Sequence, residues 1–212
     1  MSEFTVFGVP QSTYVWTARM ALDEKGVPYE LRPIAPGLSA DGVSHPFGKI
    51  PIVRHGDFTL HETIAITRYI DRTFDGPRLQ PTESRALAIM DQWISAISDY
   101  AYQAMIRELV FPRLVFPAMG RPTDEGVIAA ALPKIRTHLS RFEAALKPGP
   151  YLVGEAVTLA DLFLAPILYW VEMTPEGRSL LAEFPTVGRW RTAMGKRASY
   201  ANNVPPMPQK AA

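Results

Sequence analysis

Ser12, Thr13 and Tyr14 stand in a row directly after the turn Gly8-Val9-Pro10-Gln11. A hydroxyl at the start of a helix can accept from a helix N–H and cap it. It can also donate its own proton to an anion that the helix dipole already favours. A second helix start, Glu62-Thr63, carries an acid and another hydroxyl, and Lys49-Ile50-Pro51 lies between the two. The chain has no cysteine, which removes disulfides, thiolate metal sites and every mechanism with an enzyme thiol as nucleophile. The histidines are His45, His55, His61 and His138, and none pairs with another at metal-ligand spacing. His61-Glu62-Thr63-Ile64-Ala65 begins like a zinc-protease motif but lacks the second histidine.

The elements that must position these residues can be read from the apolar pattern. Residues 3–7 fit a buried parallel strand. Residues 13–25 read as a helix that Gly26 stops, and Tyr29 to Ile34 reads as a strand. Ala35 to Ser44 is polar and without periodicity. Residues 50–55 and 58–60 form a hairpin across Gly56-Asp57, and Glu62 to Thr73 is helical. The order is βαβ, then ββα. Residues 74–82, with Asp75-Gly76-Pro77 and Pro81, read as a linker. Everything beyond is helical. Residues 83–109 carry Leu87, Met90, Ile94, Ile97, Ala101, Met105 and Leu109 at helical spacing. Residues 124–147 form a helix that Pro133 should kink or restart. A further helix begins near Thr158 and a last one lies within 186–197. The expected architecture is a small α/β domain over 1–78 and an all-helical domain over 83–212, ending in an irregular tail over 202–212.

Bulk properties set outer limits. At 212 residues and 47% apolar content, the chain can bury a substantial core. Lys plus Arg number 22 and Asp plus Glu 21. This balance argues against a nucleic-acid binder or a polybasic membrane anchor. The longest apolar run, Leu162 to Val171, contains Pro166 and is far shorter than a membrane span. No secretory signal is visible at the N-terminus. A soluble, cytoplasmic protein is the expectation.

Three stretches carry a resemblance to a known family. "GVPQSTYVWTARMALDEKGVPYEL" is similar to the first strand, loop and helix of the serine-type cytosolic glutathione transferases, the phi and theta groups especially. "HPFGKIPIVRHGDFTLHETIAITRYI" is similar to their glutathione-site segment, and "YLVGEAVTLADLFLAPILYW" to the signature of their helical domain. The resemblance spans nearly the whole chain. It implies a thioredoxin-like first domain, a helical bundle after it, glutathione as co-substrate, no metal, and a homodimer.

It also implies a use for the hydroxyls, because glutathione brings the sulfur that the chain lacks. A free thiol with a pKa near ~8.5 is only a few per cent thiolate at neutral pH. Lowering that pKa by ~2 units requires roughly 2.7 kcal/mol. One hydrogen bond to a charged acceptor contributes ~1.5–3 kcal/mol and a helix N-terminus ~0.3–1 kcal/mol. Ser12 holds the position of the family's serine, with Thr13 and Tyr14 as alternates. The resemblance further implies a cis proline at Pro51, whose preceding residue Ile50 presents its backbone to the cysteinyl part of the ligand. Glu62 would take the ligand's ammonium, Thr63 its γ-glutamyl carboxylate and Lys49 a carboxylate. The segment Ala35 to Ser44 is shorter than in phi-type relatives and lacks their basic residues for the glycyl end. His45 and Arg32 are candidate substitutes. Thr158-Leu159-Ala160-Asp161 resembles the family's capping box, a folding element.

The electrophile pocket implied by the family would draw on Tyr14 and on Tyr102, Met105, Ile106, Phe111, Phe116 and Met119. The segment "LVFPRLVFP", with two prolines, reads as a connection that could roof it. The expected reaction is transfer of glutathione sulfur to a small electrophile. Isomerisation, dehalogenation and peroxide reduction are alternatives within glutathione chemistry, and a non-catalytic binding or scaffold role is the alternative outside it.

Overall fold

The computed structural model describes residues 3–206. The chain divides into two compact units, one comprising the residues up to Gln80 together with Arg197–Pro206, the other Pro81–Lys196. The remainder of the tail expected over 202–212, residues 207–212, lies outside the described residues, as do residues 1 and 2.

In the first unit the strands are β1 (Phe4–Phe7), β2 (Tyr29–Arg32), β3 (Ile52–His55) and β4 (Phe58–His61). The helices are α1 (Thr13–Glu24) between β1 and β2, and α2 (Thr63–Thr73) after β4. The sheet order is β2-β1-β3-β4. β1 pairs parallel with β2, while β3 is antiparallel to both β1 and β4. This is the thioredoxin-like arrangement. It follows from the connections: a helical crossover permits the parallel pair, and the tight turn at Gly56, φ +60°, permits the antiparallel one. α1 buries Val15, Trp16, Ala18 and Leu22, and α2 buries Ile66 and Ile70.

The stretch from 35 to 44 reads as featureless but contains a tight turn. Ala40 and Val43 exchange both backbone hydrogen bonds, at 3.1 and 2.9 Å, around Asp41 and Gly42. Both central residues have positive φ, +52° and +77°, as the two-residue turns of hairpins require. Val43 is thereby buried with Phe7, Ile34 and Ile52.

The second unit opens with α3 (Ser84–Ala96), which continues through two π-helical stretches, π1 (Ile97–Ala101) and π2 (Gln103–Val115), into the short α4 (Phe116–Ala118). This corrects two expectations. The helix does not end near 109, and "LVFPRLVFP" is helical rather than a connection. Pro112 has no N–H to give to an i→i−4 ladder, and it sits where the ladder has already widened to i→i+5. α5 (Glu125–Ala145) runs on through Pro133 as one helix, so that proline neither ends nor restarts it. α6 (Leu159–Glu172) is buried on nearly every side, as a helix apolar all round must be. α7 (Pro175–Ala182) and α8 (Pro185–Gly195) pack around it. The short α9 (Ala198–Ala201) groups with the first unit.

The capping box at Thr158 and Asp161 forms, and the acid does more than cap. Asp161 Oδ2 accepts from the Thr158 N–H at 2.9 Å and its hydroxyl at 3.1 Å. Oδ1 accepts from the Leu152 N–H at 3.0 Å and the Trp190 indole at 2.9 Å. Burial pushes this carboxyl up from its ordinary value against four donors that hold it down. Among the described residues no helix is long and apolar enough to cross a membrane.

Candidate active site

One row of residues across the sheet gathers the candidate segments. Phe7 of β1 lies opposite Ile52 of β3, Ile52 lies opposite His61 of β4, and Arg32 of β2 flanks Phe7 on its other side. From this row the chain leaves β1 toward Ser12, enters β3 from Ile50-Pro51, and leaves β4 toward Glu62-Thr63. α1 and α2 therefore both begin at the same end of the sheet. Their unbonded N–H groups and positive dipole ends favour negative charge there.

Gly8 permits the approach. A Cβ added there, at φ +150°, would lie 2.4 Å from Val15 Cγ2 and 3.3 Å from Ile50 Cβ. Only a bare backbone lets the turn before α1 sit against both the helix and the Ile50 segment. The Ile50–Pro51 peptide is cis, the isomer that the resemblance implies. Both residues precede the first paired residue of β3.

Ser12 is the N-cap of α1. Its Oγ accepts from the Val15 N–H at 3.4 Å, its N–H donates to Val9 O at 3.1 Å, and its carbonyl accepts from the Trp16 N–H at 3.0 Å. Capping and donation do not compete, because a hydroxyl has two acceptor sites and one proton. The cap occupies an acceptor site and leaves the proton to give. The helix N–H polarises the oxygen and strengthens that donation. Thr13 is buried and Tyr14 half-buried.

Glu62 is the N-cap residue of α2, yet its side chain makes no capping bond. Its φ is +69°, in the left-handed region that a non-glycine residue enters at a cost of about 1–2 kcal/mol. Thr63, buried, is the first helical residue, and its carbonyl accepts from the Thr67 hydroxyl at 2.8 Å. Lys49 is exposed. Arg32 is engaged by Glu30 at 2.9 Å and by Asp41.

His45 and His61 form a feature that motif reading did not find, because their partners come from separate elements. The His45 ring is buried. Its Nδ1 accepts from the Phe47 N–H at 3.1 Å, and its Nε2 lies 3.8 Å from Glu62 Oε1. The His61 ring meets it edge-on, with centroids 4.9 Å apart. Burial holds the His45 imidazole below its ordinary pKa, with His61 and Lys49 adding to the effect and Glu62 opposing it.

In the helical unit, Met105 and Ile106 are buried, Tyr102, Phe111 and Phe116 are half-buried, and Met119 is 64% exposed. Phe111 and Phe116 meet edge to face, with centroids 6.2 Å apart. Arg107 lies over Phe111 at 4.9 Å and over Tyr102 at 5.8 Å, and Arg121 lies over Phe116 at 4.0 Å. These cation–aromatic contacts also escaped the sequence. Among the described residues no cluster of His, Asp and Glu could hold a metal ion.

Comparison with known proteins accounts for both units. The N-terminal domain model of glutathione S-transferases matches residues 6–78, and the C-terminal domain model matches residues 85–198. A probable glutathione S-transferase of Oryza sativa subsp. japonica is 31% identical over 208 residues, covering 94% of each chain. The structure of glutathione S-transferase III in its apo form superposes with a TM-score of 0.85 at 30% identity, covering 99% of each chain. Glutathione S-transferase I from maize, solved with an atrazine–glutathione conjugate, superposes with a TM-score of 0.83 at 28% identity, covering 94% of this chain and 95% of that one.

Proposed function

The chain belongs to the glutathione S-transferase family, and from that membership we propose that it joins the sulfur of glutathione to a small electrophile, with Ser12 holding that sulfur as the thiolate. The observation that carries the proposal is the row Phe7–Ile52–His61, which brings two helix starts and the Ile50-Pro51 segment to one end of the sheet. Glutathione has two carboxylates, an ammonium and a thiol. The groups around the row suit it in kind: a hydroxyl with its proton to give at Ser12, a carboxylate not spent on capping at Glu62, a hydroxyl at the helix start at Thr63, and a cation at Lys49. Ser12 would donate to the sulfur, and the α1 dipole would add to the preference for its anion. Ile50 would offer backbone groups that lie outside the strand pairing. Aromatic side chains of π2 and α4, Phe111 and Phe116 foremost, are the candidates for contact with the electrophile in the helical unit. The same membership supports reading the protein as a cytoplasmic, homodimeric enzyme of detoxification.

The test is conjugation of glutathione to an activated aryl chloride, followed from pH 5.5 to 9. Ser12→Ala should lower turnover at pH 6.5 about a hundredfold and move the inflection of the profile toward the free thiol value of ~8.5. Ser12→Thr should keep most of the activity. Ser12→Gly separates the two uses of the hydroxyl, because glycine replaces a capping serine for only a few tenths of a kcal/mol. It should lose activity like Ser12→Ala while its melting temperature hardly moves. An unaltered profile in Ser12→Ala would pass the role to Thr13 or Tyr14.

A further inference from the structure

We infer that His45 is a positioning residue for Glu62 and that it couples glutathione affinity to proton uptake. Neutral His45 leaves the Glu62 carboxylate to the ligand's ammonium, and protonated His45 takes that carboxylate for itself. The inference rests on the glutathione reading given above.

The hydrogen bonds define the tautomer. Nδ1 accepts from the Phe47 N–H at 3.1 Å, so the single proton of the neutral ring sits on Nε2, the atom 3.8 Å from Glu62 Oε1. At that separation the neutral N–H closes no hydrogen bond on the carboxylate. Glu62 thus stays available to the ligand.

A second proton has to enter at Nδ1, where the Phe47 N–H already points. Two donors cannot face each other, so uptake breaks that bond and displaces the backbone at Phe47. This backbone leads through Gly48 and Lys49 to Ile50-Pro51, the segment proposed to face the ligand. Uptake also turns the Nε2–Glu62 contact into an ion pair. Both changes act against the ligand, one by withdrawing its ammonium partner and one by disturbing its backbone partner.

The charged surroundings keep this change away from neutrality. His61 of β4 and Lys49 of the same loop oppose a charge on His45, as does burial, and Glu62 at the start of α2 favours it. The affinity loss therefore falls on the acid side of the ordinary histidine range. By linkage, the ligand must make His45 harder to protonate by the same factor that the proton weakens the ligand.

The experiment is calorimetric titration of the full chain with S-methylglutathione, a thioether with no thiol to ionise, between pH 5 and 8. The unaltered protein should bind about tenfold more weakly at pH 5 than at pH 8, and His45→Asn should vary by less than about twofold, since one proton links the two equilibria. Asparagine offers an oxygen near the place of Nδ1 for the Phe47 N–H, and His45→Gln serves as a second non-titrating variant. His61→Phe should keep the dependence and move its midpoint upward, having lost a like-charge neighbour. An S-methyl ligand lacking the ammonium, built on a glutaryl group, should show a smaller dependence, keeping only the part that the Phe47 backbone carries. Parallel profiles for the unaltered chain and both His45 variants would overturn the inference. So would a dependence abolished by His61→Phe and kept by His45→Asn. Failure of S-methylglutathione to bind at any pH overturns the glutathione reading itself, which distinguishes the two failures.

Discussion

Glu62 holds a backbone conformation that costs stability, and its side chain makes no capping bond in return. Strain of this kind persists where the surrounding structure imposes it, and it concentrates at sites that bind. Glycine would occupy φ +69° without the steric cost of about 1–2 kcal/mol, but it brings an unfolded-state entropy penalty of about 0.5–1 kcal/mol. The two nearly offset. Glu62→Gly should therefore melt at the same temperature as the unaltered chain or a few degrees above it, while losing retention on immobilised glutathione. Glu62→Gln keeps the strain and loses only the charge, so it should melt as the unaltered chain does and bind more weakly. A large fall in melting temperature for Glu62→Gly would mean that the side chain stabilises the fold and that its position has no functional cause. The residue types at Ser12, Glu62 and Thr63 were legible because helix starts announce themselves locally. The facing of His45 toward Glu62 was not, because it depends on three segments meeting in space.

At the scale of elements, the end of α1, the last turn of α2 and the linker are held by one buried knot. Lys25 Nζ pairs with Asp71 Oδ1 at 3.0 Å and donates to Pro77 O at 3.0 Å. The side chains of Lys25 and Asp71 are 2% and 6% exposed. Asp71 also accepts from the Leu79 N–H at 2.8 Å and the Gln80 amide at 2.9 Å. Burial alone would raise the Asp71 pKa, but Leu79, Gln80 and Lys25 outweigh it and hold the carboxyl below its ordinary 3.8. A carboxyl lowered by folding stabilises the protein at pH above its ordinary value, and that stability disappears as pH falls through the lowered one. Asp71→Asn should cost about 3–5 kcal/mol at neutral pH, because it strands a buried ammonium. Its denaturant midpoint should also lose the fall below pH 4 that this pair contributes. An unchanged acid limb in the variant would assign that fall to other carboxyls. The elements themselves were largely readable: the strands, α1, α2 and the start of α6 follow from periodicity and caps. The π-helical stretch was not recognised, although the pattern held a sign of it. Ile97, Ala101, Met105 and Leu109 recur every four residues, and on an α-helix of 3.6 residues per turn such a stripe drifts by about 40° each step. All four residues are nevertheless buried.

At the scale of the molecule, Arg197–Pro206 group with the residues up to Gln80 after the chain has passed through the other unit, and nothing local in the sequence signals the return. Arg197 reaches Glu24 with two hydrogen bonds, at 2.8 and 2.6 Å, across a separation of 173 positions. Ser199 also donates to Glu24, Tyr200 packs at a tilt against Trp16 with centroids 5.0 Å apart, and Asn203 joins Asp23 at 2.5 Å to Tyr29 at 3.0 Å. The sequence pattern reads residues 83–212 as one helical domain with an irregular tail over 202–212. The contacts instead make residues 197–203 the clasp on α1, the helix that carries Ser12 at its other end. Each charge-assisted bond of this kind contributes about 1.5–3 kcal/mol. A chain ended at Lys196 should therefore show amide exchange in α1 faster by about ten- to a hundredfold, at 1.4 kcal/mol per factor of ten. α6, centred in the other unit, should keep its protection. Glutathione turnover should fall with α1, since a helix that opens more often presents Ser12 less of the time. Equal exchange in α1 with and without the segment would show that the return adds no stability, and the placement of Ser12 would then rest on Gly8, Val15 and the sheet alone.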